Sequence, residues 1–437
     1  MSDLEKNRVL YGVLKSASYA LENIRCEVNL NPLQPSTMTA NIFDVQGTNS
    51  FRFMKDFMGQ EVTFECSSES EQIIFAGVVT SVQSSGTTDK IGAVRIDSYR
   101  QDFFLNREPI VSATFVYYLT PVDMFKRTRM MCSHDMRGLL FGYDDYTDEK
   151  SPIWKEESHS YSTNVGQLVF YPGLVFDEDD TGNVIVREQL KVAITVKEQE
   201  IDVETLKSSI EKTLEDYLYI ISFLEGKFLY WFYSEIDARA LSGKGFVSNV
   251  YKRIPIWEYG KSQYLERYAK EYRQIVPGLV TKYISLADQK KLDLDKAIKQ
   301  LLVASKPAQP IDTELIYWHS CLDILLKAIS GESVVERKYI AFSRKLVLAC
   351  EEANIEWVDL YPYVKRDEIF SDDVRADFRI TTLRNNMIHE GNYPDPQQFG
   401  EVIAENSRAA ALAERMILSI LGVDYRNSPA GGFRPVR

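Results

Sequence analysis

Arg384-Asn385-Asn386-Met387-Ile388-His389 brings a guanidinium, an amide and an imidazole into one short stretch, DDVRADFRITTLRNNMIHEGNYPD. His389 is one of four histidines in 437 residues. These types hold an oxyanion and move a proton. Arg384 offers a permanently charged fork. An imidazole titrates near neutral pH and serves as acid or base. Asn385 orients that ring or donates to an anion. The stretch reads as the end of a helix stopped by Gly391, with His389 in the last turn, where orphan carbonyls favour a cation. Asn385 and His389 are four apart and share a face. Arg384 and His389 are five apart, roughly 140° around the axis and about 7.5 Å along it. One helix therefore does not aim both at one point. Either the long Arg leans across, or two copies of the helix face each other.

Other candidates lie outside this stretch. Asp323 sits in 315–328 (LIYWHSCLDILLKA) among apolar residues at helical spacing, where an unpaired acid is costly to bury; it reads either as a half-exposed helix acid or as a partner of the motif. His319, one turn earlier, reads as structural. Arg379 precedes Arg384 by five and extends the positive charge. His134 and His159 have no ligand spacing around them, so no metal site is expected. Asp177-Glu178-Asp179-Asp180-Thr181-Gly182, with Val184 and Glu188, follows the ligand order of a calcium loop. Its flanks read as strands, so the expectation is an acidic hairpin turn, with calcium the alternative. Gly243-Lys244-Gly245 lacks the rest of a phosphate-loop fingerprint. No cofactor is expected.

The elements that must position these groups change along the chain. Residues 1–200 alternate in period two at 25–30, 61–66, 73–82, 93–99, 114–119, 168–176 and 184–196. The turn-rich 84–89 (SSGTTD) reads as a hairpin. Many short strands at this spacing predict a sandwich or barrel. Over 120–165 the pattern weakens toward short helices and loops. Leu206, Ile210, Leu214, Tyr217, Leu218 and Ile221 then recur at helical spacing, with Gly226 at the helix end. Residues 227–232 (KFLYWF) read as a strand, and 237–262 are mixed. Later residues predict helices over 262–275, 290–304, 312–330, 334–352, 372–390 and 396–421. Ser333 with Glu336 forms a capping box. Asp395-Pro396 starts the last helix, and Gly331, Gly391 and Gly422 stand at C-terminal caps. The loop 306–310 separates the last helices, and short connections predict an antiparallel bundle.

The fold class is therefore α+β and multidomain. A β-rich region spans 1–200, a mixed, mainly helical connection 201–305, an all-α bundle 306–425 and a Gly/Pro-rich tail 426–437. Hydrophobic residues make up 45% of the chain, enough for more than one core. No run of about 18 apolar residues occurs, and the start MSDLEKNRVLYG has no signal-peptide core. Cysteines 26, 66, 132, 321 and 350 form no C-x-x-C pair. Together these predict a cytoplasmic protein with reduced thiols. The net charge of −12 argues against a general nucleic-acid binder with a broad basic face. An acidic body with local positive charge at a cleft remains compatible with an RNA-cutting enzyme.

Arg384, Asn385 and His389 near the end of a late helix, in an all-helical C-terminal segment, resemble the R-x4-6-H signature of the HEPN superfamily. The β-rich half followed by that tail resembles the layout of ApeA-type anti-phage proteins. The resemblance implies metal-independent endoribonuclease activity. The substrate's 2′-OH attacks the adjacent phosphorus, Arg384 neutralises the added charge, and His389 moves a proton. The products are a 2′,3′-cyclic phosphate and a 5′-OH. The resemblance further implies that Asp323 faces the motif, that a homodimer supplies two copies of each group, and that the protein is an effector of abortive infection. The N-terminal half then senses or regulates, with a phage-derived trigger. Two alternatives stand beside this. One is a noncatalytic HEPN module that binds RNA or nucleotide, or only dimerises. The other is a ligand-binding β domain, rich in aromatics such as Tyr117, Tyr118, Phe170 and Tyr171, with a helical oligomerisation handle.

Overall fold

The computed structural model describes residues 7–17, 19–30, 38–44, 57–68, 71–82, 90–103, 110–120, 122, 124, 158–178, 184–199, 202–240, 245–252, 263–306, 310–335, 341–371, 377–389 and 399–427. The chain divides into two compact units. The first holds 1–120, 127–213 and 230–256; the second holds 121–126, 214–229 and 257–437.

In the first unit, β1 (Asn7–Lys15), β2 (Ala20–Asn29), β3 (Thr39–Asp44), β4 (Glu61–Ser67), β5 (Glu71–Val82) and β6 (Lys90–Phe103) form a closed barrel. The strand order is β3-β2-β1-β4-β5-β6, and an antiparallel β3–β6 pairing closes it. Period-two alternation explains the interior. Ile24, Cys26 and Val28 point inward from β2, Ile73 and Phe75 from β5, and Val94 and Ile96 from β6. Phe64 and Phe75 are cross-strand partners with stacked rings 4.9 Å apart. Of the two architectures the alternation allows, a barrel is the one formed.

Closing so small a barrel requires strands to approach closely where they bend. A Cβ at Gly77 would lie 2.0 Å from the Arg95 carbonyl oxygen, beside a register shift in the β5–β6 ladder. Backbone, not a yielding side chain, blocks that space. Gly77→Ala is therefore expected to cost about 2–3 kcal/mol or more, read as a lower urea midpoint. An unchanged midpoint would show that the strands part freely there.

The sheet continues through β12 (Gly245–Lys252), β11 (Trp231–Ala240), β7 (Ile110–Leu119), β10 (Val184–Gln199), β9 (Gly166–Glu178) and β8 (His159–Thr163). It thus takes in Trp231–Ala240 and Gly245–Lys252, within the stretch read from sequence as a mainly helical connection. The aromatic alternation there supplies cross-strand partners: Tyr118 packs on Tyr233 at 5.0 Å and Tyr117 on Trp231 at 5.4 Å. Tyr117, Tyr118 and Phe170 are buried core residues, which removes them from any surface ligand site; Tyr171 is half-buried. Strand β9 reaches Glu178 and pairs antiparallel with β10 from Val184, so strands flank the calcium-loop pattern as expected; its residues 179–183 lie outside the described residues.

Helix α1 (Val203–Glu225) begins at Asp202, whose carboxylate accepts from the Thr205 N–H at 3.0 Å. Its predicted stripe from Leu206 to Ile221 is buried. Gly226, at φ +66°, ends it, with the Lys227 N–H reaching the Ser222 carbonyl.

The second unit contains α2 (Gln263–Ile284), α3 (Asp288–Ala304), α4 (Ile311–Val335), α5 (Phe342–Glu352), α6 (Arg366–Phe370), α7 (Arg379–His389) and α8 (Phe399–Ile420). With α1 these make eight helices among the described residues. Several boundaries differ from expectation: α5 begins at Phe342 rather than 334, α7 begins at Arg379, α6 has no counterpart among the predicted helices, and β11 begins at Trp231, after the first residues of the predicted strand 227–232. Helix α2 does not stop at 275 but continues past Pro277. Helix α4 runs through Gly331 and Ser333, so neither caps a helix there. Extending a helix costs far less than starting one, and one interior Gly costs only about 1 kcal/mol. Gly422 does cap α8, at φ +71°, with the Val423 N–H on the Leu418 carbonyl at 2.9 Å. Gly391, Asp395 and Pro396, Gly243 and Lys244, His134, Cys132 and the tail from 428 lie outside the described residues.

Candidate functional site

Phe378 anchors the start of α7. Its ring is fully buried, edge-on to Tyr361 at 4.7 Å and Trp357 at 5.7 Å. Its N–H donates to Ser343 Oγ at 3.2 Å and its carbonyl accepts from the Thr381 N–H at 2.9 Å. Within α7, Ile380 and Met387 are buried. Arg384 is four residues from the first and three from the second, so it falls on their stripe. That spacing explains why Arg384 is half-buried while Asn385, Ile388 and His389 are exposed.

Helix α7 packs against α4 and α8. Arg384 Nη1 donates to Asn385 Oδ1 at 2.9 Å. The Arg384 charge also acts on His319 of α4, as does that of Asp323 one turn further on. Arg384 and Asn385 are thus joined by a hydrogen bond, and the charges of Arg384 and Asp323 both act on the His319 ring. Burial, reinforced by the Arg384 guanidinium and opposed by Asp323, pushes the His319 imidazole down to about 4. Its ring lies over Phe342 of α5, centroids 4.3 Å apart and planes 26° apart.

The remaining sequence candidates are placed differently. Asp323 is exposed, so no buried acid needs a partner there; it falls on the water side of a helix whose Leu322, Leu325 and Leu326 are buried. Arg379 pairs with Glu401 at 3.3 Å and lies over the Tyr363 ring at 5.7 Å. Tyr363 is itself fixed by its hydroxyl on Glu405 at 2.9 Å. Arg379 therefore does not extend the charge at Arg384. His389 ends α7 as expected, but no hydrogen bond joins it to Arg384, in keeping with their angular separation on one helix. His319, read from sequence as structural, lies stacked on Phe342 and half-buried.

Among the described residues, no group of three or more His, Cys, Asp or Glu side chains is arranged to hold a metal ion, and no helix is long and apolar enough to cross a membrane. Among the described residues, Cys26, Cys66, Cys321 and Cys350 form no disulfide. No family model, curated protein or solved structure matches the chain.

Proposed function

We propose that the chain is a metal-independent endoribonuclease of the HEPN type, acting as an effector in anti-phage defence, with the N-terminal half as sensor or regulator. The observation that carries this reading is the placement of Arg384 on α7, a helix packed against α4: half-buried, with its guanidinium oriented by Asn385. A guanidinium fixed in this way is suited to neutralising charge on a phosphodiester. His389, exposed at the end of the same helix, serves as the proton-transfer group.

Arg384 and His389 of one chain diverge, so the reading includes a homodimer in which each motif faces its copy. Large apolar side chains exposed on these helices support such a surface: Ile388 at 45%, Phe399 at 44% and Ile403 at 40%. The same divergence favours the second reading, a noncatalytic module that binds RNA or dimerises. Incubating the full chain with RNA in EDTA and mapping product ends separates the two. The nuclease reading expects cuts leaving 2′,3′-cyclic phosphate and 5′-OH. Bound but intact RNA, in the presence of dimer and trigger, would establish the noncatalytic module instead.

A further inference from the structure

In the β-rich unit, one cross-strand row of the sheet is tyrosine almost throughout. The ladders set Tyr99 of β6, Tyr251 of β12, Tyr233 of β11, Tyr118 of β7, Lys191 of β10 and Tyr171 of β9 opposite one another in turn, on one face. Glu235 stands two residues beyond Tyr233 on that face. Its Oε2 accepts from the Tyr118 hydroxyl at 3.3 Å. The Lys191 ammonium lies over the Tyr118 ring, 4.6 Å from the centroid. That ring thus spans the gap between a carboxylate and an ammonium, both half-buried. Among the described residues neither has an ion-pair partner, although Glu235 acts on Lys191. The hydroxyls of Tyr99 and Tyr233 are buried and complete no hydrogen bond, though both lie in the field of Glu235. Polar groups left in this state are costly, so the chain alone does not satisfy the polar groups around Glu235. Beyond the tyrosines the floor is made of short side chains: Val116, Ala193 and Val169 stand opposite one another, half-buried.

We propose that Glu235, Lys191 and Tyr171 bind a guanine base. A carboxylate and an ammonium that face one gap without joining suit a guest with donors at one end of an edge and an acceptor at the other. The Watson–Crick edge of guanine has that order: N1–H and N2–H donate to Glu235, and O6 accepts from Lys191. Adenine and cytosine place an acceptor where guanine has N1–H, and uracil has a carbonyl in place of the amine. Each of these sets a lone pair against the carboxylate. The short side chains of the floor leave space for a flat ring, and Tyr171, at the end of the row, supplies a stacking face. Tyr118 acts from behind, since its hydroxyl aims the carboxylate. The site uses no residue of α7 and does not rest on the nuclease reading.

The test is calorimetric titration of the full chain with guanosine, inosine and adenosine. Nucleosides carry no phosphate, so a phosphate site at Arg384 plays no part. Guanosine should bind at least about tenfold tighter than inosine, which lacks only the exocyclic amine, and tighter still than adenosine. Glu235→Gln should weaken guanosine by at least about tenfold, because an amide offers one acceptor oxygen and sets a donor against the base. Lys191→Met should weaken guanosine and inosine alike, since both keep O6. Equal affinity for the three nucleosides overturns the proposal, and so does wild-type affinity in Glu235→Gln. No guanosine binding up to about 1 mM overturns it as well. Displacement of guanosine by glycine would assign the charge pair to a zwitterion instead and equally overturn the base. The nucleoside comparison stands on wild type alone if a variant does not fold. No RNA is cut in this experiment, so its failure is distinguishable from failure of the nuclease reading.

Discussion

RNA cleavage by Arg384→Ala is expected to fall by about 10²–10³-fold relative to wild type, the usual loss when one preorganised oxyanion ligand is removed. The loss belongs in kcat as well as kcat/KM, because charge on the phosphoryl oxygens grows in the transition state. Arg384→Lys should recover only part of it. Lysine keeps a positive charge but loses the planar fork, and the contact with Asn385 Oδ1 that aims it. Asn385→Ala should lose about tenfold, since it frees the guanidinium without removing it. His389→Ala should match Arg384→Ala in magnitude but also alter the pH profile. Circular dichroism should show all four folded, since Asn385 and His389 are exposed and Arg384 lies at the edge of the packed stripe. Cleavage by Arg384→Ala at the wild-type rate would remove Arg384 from the site and with it the family reading.

The legible part of this molecule is what local periodicity encodes. Alternation at Ile24–Cys26–Val28 and at Ile73–Phe75 marks strands whose one face is buried, and all five are in the barrel core. The stripe Leu206, Ile210, Leu214 marks α1 as plainly. Closure of the barrel is not legible, because the pairing of β3 with β6 joins Ala40 to Val94 across more than fifty residues. Nor is the return of the chain to the same sheet at Trp231, where β11 pairs with β7 more than a hundred residues earlier. The site divides in the same way. Arg384, Asn385 and His389 are readable as one helix end from spacing alone. What a one-dimensional pattern does not contain is the neighbour across the packing surface, which draws Arg379 to Glu401 and sets His319 within the field of Arg384. Asp323 is exposed, in line with its reading as a helix acid on the water side, since its angular position on α4 faces away from Leu322, Leu325 and Leu326.

The second large effect is on stability, and it comes from His319. Its imidazole is held near 4 in the folded chain, below the ordinary histidine value of 6.5. As pH falls, the unfolded chain therefore binds the proton first, and protonation favours unfolding. Above about pH 6.5 both states are neutral at this ring, and it has no effect. Between there and about 4 stability declines, by about 2 kcal/mol at pH 5 and up to about 3 kcal/mol once both forms are protonated. His319→Gln removes the titrating group while keeping a polar side chain of similar reach. It also loses the stack on Phe342, so it should be less stable than wild type at pH 7.5. On going to pH 5 the variant should lose about 2 kcal/mol less than wild type, which narrows or reverses the gap. Urea unfolding of both proteins at the two pH values measures this directly. Carboxylates elsewhere contribute equally to both proteins and cancel in the comparison. Parallel losses, with a gap unchanged by pH, would mean that His319 titrates alike in the folded and unfolded chains. The cluster on α4 and α7 would then exert no field on the ring.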